Sequence, residues 1–227
     1  MSSIVAVRGL NYSYDDGTEA LKGVDFDLSE GHTVALLGAN GSGKTTFALH
    51  LNGILRGKGS ITIDGLAMNE KNLREIRRRV GLVFQDSDNQ LFMPTALEDA
   101  AFGPLASGMN AEEAARRARA ALERAGIAHK ADRAPWRLSA GEKKRVAIAG
   151  ILASEPRLLV LDEPTTFLDP PGQRELAELL LSLPQAKILI THDVSFARRL
   201  TDEAVFFQNG KIAARDSITA IVNQFGW

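Results

Sequence analysis

Gly38-Ala39-Asn40-Gly41-Ser42-Gly43-Lys44-Thr45-Thr46 follows the apolar run Thr33-Val34-Ala35-Leu36-Leu37 and leads into Phe47-Ala48-Leu49-His50-Leu51. Strand, glycine-rich loop and helix are the context in which G-x-x-x-x-G-K-[ST] binds phosphate. The glycines let the backbone turn tightly and aim successive N–H groups inward, with no side chain blocking the phosphates. The helix that follows adds the positive end of its dipole. Lys44 supplies a mobile charge for the β- and γ-phosphates, and Thr45 a hydroxyl for Mg²⁺. A glycine-rich turn that binds nothing is the alternative, and the flanking strand and helix argue against it. The chain is expected to bind a nucleoside triphosphate.

With 227 residues the chain can bury one substantial core, or a core with a subdomain attached. Lys and Arg number 27 against 28 Asp and Glu, a net charge of −1. That balance offers no charge excess for a nucleic-acid surface or an anionic-membrane anchor, so no nucleic-acid partner is expected. The absence of cysteine removes disulfides and thiolate zinc sites and fits a cytoplasmic protein. Met1-Ser2-Ser3-Ile4-Val5-Ala6-Val7-Arg8 lacks the apolar stretch of a secretory signal. No run approaches the ~20 apolar residues of a membrane helix. If the protein works at a membrane, another chain must span it.

Val5, Val7 and Leu10 fit a short strand, Asp15-Asp16-Gly17 a turn, and Val24 to Leu28 a second strand beyond Tyr14. Ser60 to Gly65 alternates as a strand ending in a turn, Leu73 to Arg79 reads as a basic helix, and Val80 to Phe84 as a buried strand ending at Gln85. From Asp86 to about Ser154 the chain loses its strands and turns Ala- and Arg-rich, a helical subdomain inserted into an α/β core. Asn110 begins one of its helices, with Glu113 in a capping arrangement and Gly126 as the stop. Strands resume at Leu158–Leu161, Lys187–Ile190 and Ala204–Phe207, with a helix carrying Leu176, Leu179, Leu180 and Leu183 between the first two. Asn209-Gly210 is a hairpin signal.

Leu158 to Leu161 delivers Asp162 and Glu163 at its end. Consecutive carboxylates leaving a buried strand are costly unless they meet a cation or a donor. A P-loop Mg²⁺ gives Asp162 its partner, and Glu163 is then placed to accept a proton from an attacking water. The alternative is a solvated Asp-Glu-Pro turn. Thr191-His192-Asp193 closes the next strand; parallel strands would bring Gln85, Asp162-Glu163 and His192 to one crevice. A lone His there is more often a structural hydrogen-bonder. Leu138-Ser139-Ala140-Gly141-Glu142 precedes a helix, so a hydroxyl, a small residue and a glycine make a second anion-binding turn. Alone, it is only a good helix cap.

Together and in this order, these motifs resemble the ATP-binding cassette (ABC) ATPases that drive transporters, over essentially the full chain. Gly38 to Thr45 matches Walker A, Gln85 the Q-loop, Leu138 to Glu142 the signature, and Leu158 to Asp162 Walker B. Glu163 stands as the general base, Phe167-Leu168-Asp169 as the D-loop and His192 as the switch histidine. The signature departs from Leu-Ser-Gly-Gly-Gln at Ala140 and Glu142. The resemblance implies an α/β fold. A P-loop NTPase (RecA-like) core over 1–85 and 155–227 would carry an amino-terminal antiparallel β portion, with the helical signature subdomain over 86–154. It implies ATP and Mg²⁺ as cofactors, with Glu163, His192, Gln85 and Lys44 in catalysis and Thr45, Gln85 and Asp162 at the metal. ATP would be held by Gly38, Asn40, Gly41, Ser42, Gly43, Lys44, Thr45 and Thr46, with Tyr14 stacked on adenine. Ser139 and Gly141 of a second ABC ATPase subunit, identical or homologous, would close each site in a head-to-tail dimer.

A finer resemblance lies in Val80-Gly81-Leu82-Val83-Phe84-Gln85-Asp86-Ser87-Asp88-Asn89-Gln90-Leu91-Phe92, then Glu98-Asp99 and Ala101-Phe102-Gly103-Pro104. It is similar to the ATPases of cobalt/nickel importers and of vitamin-importing energy-coupling factor (ECF) transporters, which often have Pro where Ser87 stands. That similarity implies a transmembrane coupling protein contacting the stretch after Gln85, a separate substrate-binding membrane component, and a peripheral place on the cytoplasmic face of the cell membrane. The chain stops at Trp227, before the longer carboxyl-terminal extension that many members use in dimer contacts. A conventional ABC transporter ATPase is the alternative, differing only after Gln85. A soluble ABC switch protein or a P-loop kinase or GTPase fits less well, for want of coiled-coil inserts, a second cassette or an Asn-Lys-x-Asp motif.

Overall fold

The strand that delivers the P-loop is buried from Val34 to Leu37, and the runs Leu158–Leu161, Ile188–Ile190 and Ala204–Phe207 are buried as well. Uninterrupted apolar runs belong to strands covered on both faces, as in a parallel sheet between helices. The computed structural model describes residues 3–227; Met1 and Ser2, part of the amino-terminal stretch quoted above, lie outside the described residues.

In chain order the elements are β1 (Ser3–Ser13), β2 (Glu19–Ser29), β3 (Thr33–Leu37), α1 (Lys44–Leu51), β4 (Lys58–Ile63), β5 (Leu66–Ala67), α2 (Leu73–Arg79) and β6 (Val80–Val83). There follow α3 (Ala96–Ala106), α4 (Ala111–Arg124), α5 (Ala140–Leu152), β7 (Leu158–Asp162), α6 (Pro170–Ser182), β8 (Ala186–Ile190), α7 (Val194–Leu200), β9 (Glu203–Gln208), β10 (Lys211–Ser217) and α8 (Ile218–Phe225). The chain divides into two compact units. One holds the chain to Leu82, Arg157–Glu163 and everything from Pro184; the other holds Val83–Pro156 and Pro164–Leu183. The expected helical stretch, 86–154, lies inside the first segment of the second unit, and α6 joins that unit through Pro164–Leu183.

An amino-terminal antiparallel sheet has the order β2-β1-β4-β5, and a six-stranded sheet the order β10-β9-β3-β8-β7-β6. Strands β9, β3, β8 and β7 run parallel, and β10 returns antiparallel to β9 through the Asn209-Gly210 turn. In register, Leu36 lies beside Ile190 and Ile190 beside Asp162. The residues that follow β3, β7 and β8 therefore leave one edge of the sheet together. Phe47 of α1 is fully buried, its ring 5.2 Å from Phe26 and 5.5 Å from Phe207. Strand β1 is longer than the short strand expected. Its register with β2 slips between Val7 and Leu10, and the bulge resets the alternation that sequence patterning relies on.

In the second unit α3, α4 and α5 pack on one another. Ala96, Ala100, Ala114, Ala118 and Ala147 are buried with Leu122, Val146 and Ile148, and small residues let the helices approach closely. Asn110 Oδ1 accepts from Glu113 N at 2.9 Å, the cap expected for α4. α3 continues through Gly103-Pro104, and Pro104 lies in its last turn, where it gives up the hydrogen bond to the carbonyl four residues back.

Candidate nucleotide site

The loop between β3 and α1 has the backbone that only glycine supplies. Gly38 has φ +134 and Gly43 φ +108. A Cβ on Gly38 would stand 2.2 Å from Phe207 O, and one on Gly43 2.7 Å from Ala20 O. Ser42 N donates to Ala39 O at 3.1 Å, and Gly210 N to Ser42 O at 3.0 Å, pinning the loop from within and from the β9–β10 turn. Gly43 is the N-cap of α1 and brings no side-chain acceptor, so the first-turn N–H groups are free of a protein cap and point where an anion would sit. Ala39, Asn40, Gly41 and Thr45 are exposed, whereas Ser42, Lys44 and Thr46 are buried. Lys44 Nζ donates to Gly38 O (2.6 Å), Ala39 O (2.9 Å) and Ser42 Oγ (3.3 Å). Burial pushes the Lys44 ammonium below its usual range, opposed by the charges of Glu163 and Asp162. Tyr14 keeps an exposed ring and shares a 2.9 Å hydrogen bond with Thr46 Oγ1. Its edge-to-face partner is Tyr12, at 5.1 Å.

The end of β7 meets this loop, and a residue beyond β8 meets the end of β7. Thr45 Oγ1 donates to Asp162 Oδ2 at 2.8 Å, placing a hydroxyl and a buried carboxylate side by side. Glu163 N donates to Ile190 O at 2.9 Å, tying the end of β7 to β8; Glu163 itself has φ +44. Left-handed backbone at a non-glycine residue costs energy and clusters where function demands a particular aim. The Glu163 side chain is 11% exposed and that of His192 is 69% exposed. His192 Nδ1 lies 3.0 Å from Glu163 Oε1, and His192 N donates to Glu163 Oε2 at 3.4 Å. The carboxylate is held by two groups of a residue just beyond the next strand, β8.

A metal test follows from the donor set. Among the described residues no cluster of three or more His, Cys, Asp or Glu could hold a metal. A cation here would rest on one hydroxyl, one carboxylate and a nucleotide's own phosphates. Mg²⁺, which keeps several waters and takes one or two carboxylates plus phosphate oxygens, fits that set.

Gln85, Ser139 and Gly141 belong to the second unit. Ser139 is the N-cap of α5 in a reciprocal capping box: Glu142 N donates to Ser139 Oγ at 3.3 Å and Ser139 N to Glu142 Oε2 at 2.8 Å. Within the unit, a cavity of about 270 Å³ lies at this turn, lined by Ser139, Gly141, Glu142, Leu168, Asp169 and Gly172 among others. The sequence missed what holds Gln85. Lys144 of α5, only 3% exposed, donates to Phe84 O at 3.1 Å and Gln85 O at 2.7 Å, and Lys143 pairs with Asp88 at 2.5 Å. The signal was there: Lys144 precedes Ile148 by four residues and Leu152 by eight, on the buried face of its helix.

A P-loop at the carboxyl edge of such a parallel sheet, with Asp and Glu closing the next strand but one, makes this chain a P-loop NTPase. The ABC transporter family model matches residues 21–166, and the chain belongs to that family, whose members are ATP-hydrolysing, ATP-binding subunits of transporters. The energy-coupling factor transporter ATP-binding protein EcfA of Methanosphaera stadtmanae is 48% identical, over 93% of this chain and 78% of that protein. Among solved structures, CbiO1 from Clostridium perfringens, described as part of the ABC transporter complex CbiONQ, is 38% identical. It superposes with a TM-score of 0.87 over 99% of this chain and 92% of its own. A dimeric ATP-binding cassette with ADP and Pi bound is 29% identical, with a TM-score of 0.85 over 94% of this chain and 98% of that one. Among the described residues, no helix is long and apolar enough to cross a membrane.

Proposed function

We propose that this chain energises an ECF-type importer of a transition metal ion (cobalt or nickel) or a vitamin, as one of two cassettes on the cytoplasmic face of the membrane. The observation that carries this is the joint similarity to an EcfA and to a CbiO1 across nearly the whole chain. The exposed surface of the stretch after Gln85 supports it. Phe92 is 64% exposed with its ring 4.9 Å edge-on to Phe102, also exposed, and Leu105 is exposed nearby in sequence. Apolar surface of that kind is suited to a membrane coupling protein.

In this reading the triphosphate lies on the Gly38–Thr46 loop and the amino end of α1, with Tyr14 beside the base. Lys44 exchanges its loop carbonyls for the β- and γ-phosphates. Thr45 and Asp162, with Gln85 as the family resemblance implies, would hold Mg²⁺, which would neutralise phosphate charge. Glu163 accepts the proton of the attacking water, and His192 fixes the aim of that carboxylate. Ser139 and Gly141 of the second cassette complete the site, so ATP joins the two cassettes and hydrolysis releases them.

The test is a pull-down of tagged protein from native membranes in mild detergent. A small substrate-binding membrane protein together with a separate coupling protein is the expected result, and uptake should fail for Phe92→Asp while its basal ATP hydrolysis persists. A single pair of large permease domains would replace this proposal with a conventional ABC transporter, and no membrane protein at all with a soluble switch.

A further inference from the structure

The cavity at the amino end of α5 is an odd place for an anion. Three of its lining residues, Glu142, Asp169 and Glu175, are acids. Each carboxylate is engaged within its own unit. Asp169 Oδ1 accepts from Gly172 N at 2.9 Å, and Glu175 pairs with Arg145. Glu142 turns back on its own helix: Oε2 accepts from Ser139 N, and Oε1 lies 3.1 Å from Lys130 Nζ. Lys130 ends the 3₁₀ turn Ala128–Lys130 and is the cation within ion-pair distance of Glu142 among the described residues. Both side chains are about 30% exposed, so water screens the pair only in part. The Ser139 N–H and the Lys130 ammonium together hold the Glu142 carboxyl below its usual range; it is a full negative charge beside the turn.

We infer that Lys130 is a positioning residue of the signature half-site: it neutralises Glu142 and keeps that carboxylate folded onto the Ser139 N-cap, so that the turn presents donors and not a bare negative charge to a polyphosphate held by a second copy. This rests on the shared-site reading proposed above. Without Lys130, closure would bring an uncompensated carboxylate toward the phosphates, and juxtaposed like charges are costly. The P-loop of the same chain would be untouched, because its phosphate contacts use other residues. Lys130 therefore acts on ATP-dependent closure and not on ATP capture.

The experiment uses the full chain on a Glu163→Gln background, with ATP and Mg²⁺ as the probe. ATP binding to the separated chain is read by fluorescent-nucleotide displacement, and closure by size-exclusion mass. Lys130→Met should bind nucleotide as the parent does but need roughly tenfold or more ATP to close. Lys130→Arg should restore closure. In a Lys130→Met/Glu142→Gln chain the penalty should vanish relative to Glu142→Gln alone; a merely structural Lys130 would leave it in place. Ser139→Arg separates the two levels of inference. If Ser139→Arg blocks closure while Lys130→Met closes like the parent, the half-site stands and the role of Lys130 falls. If Ser139→Arg closes normally, the shared-site reading fails and this inference with it.

Discussion

Glu163 combines left-handed backbone, burial and a two-point hold by His192. Those are the marks of a side chain whose direction matters more than its comfort. Its proposed role as general base makes a sharp prediction: Glu163→Gln should bind ATP yet turn it over at least ~10²-fold more slowly in a steady-state phosphate-release assay. Wild-type turnover would remove Glu163 from that role. At this scale the sequence was legible wherever a residue's neighbours in the chain define its chemistry. The P-loop, Asp162-Glu163 and the Ser139 cap are local patterns, and the structure has a glycine loop capping α1, a Thr45–Asp162 contact and a capping box there. Lys130 and Lys144 were not legible as partners. Glu142 is twelve residues beyond Lys130, and the carbonyls that Lys144 meets lie 59 and 60 residues away from it. A lysine beside apolar residues announces burial but not what it is buried against.

Among the elements, α5 does more than display the signature turn. Its Lys144 takes a charge into the interior and holds it between two carbonyls, with Asp99 capping Phe92 N and Met93 N further along the same segment. A buried ammonium is tolerable only while its acceptors stay in place, so the Gln85 backbone is committed to α5. Lys144→Met leaves Phe84 O and Gln85 O without that donor, and should destabilise the second unit by about 1–3 kcal/mol in urea unfolding. An unchanged midpoint would show that the carbonyls find other donors at no cost. Helix α4 and strands β7–β9 could be read directly, because periodicity and burial agree in them. β1 could only be read in part, because a bulge breaks its alternation, and α3 was not delimited within the helical stretch.

At the level of the whole molecule, Lys44, Glu163 and His192 reside in one compact unit of the chain and Gln85, Ser139 and Gly141 in the other, and a related cassette has been solved as a dimer with ADP and Pi. The overall architecture was legible because six motifs occur in order; how two chains share a site was implied by resemblance, since no residue pattern within one chain records its contacts with another. The proposed membrane partners and cargo are not recorded in the nucleotide motifs for the same reason.

If a complete ATP site needs Lys44 of one chain and Ser139 of another, mixing two inactive variants should rebuild it. Lys44→Ala and Ser139→Arg chains, assayed separately, should each lose ATP hydrolysis by roughly 10²-fold or more. Mixed in equal amounts they form some dimers with one intact composite site, and the account predicts hydrolysis well above the sum of the two alone. A Ser139→Arg chain that hydrolyses ATP at the native rate by itself, or a mixture that gains nothing, would contradict it.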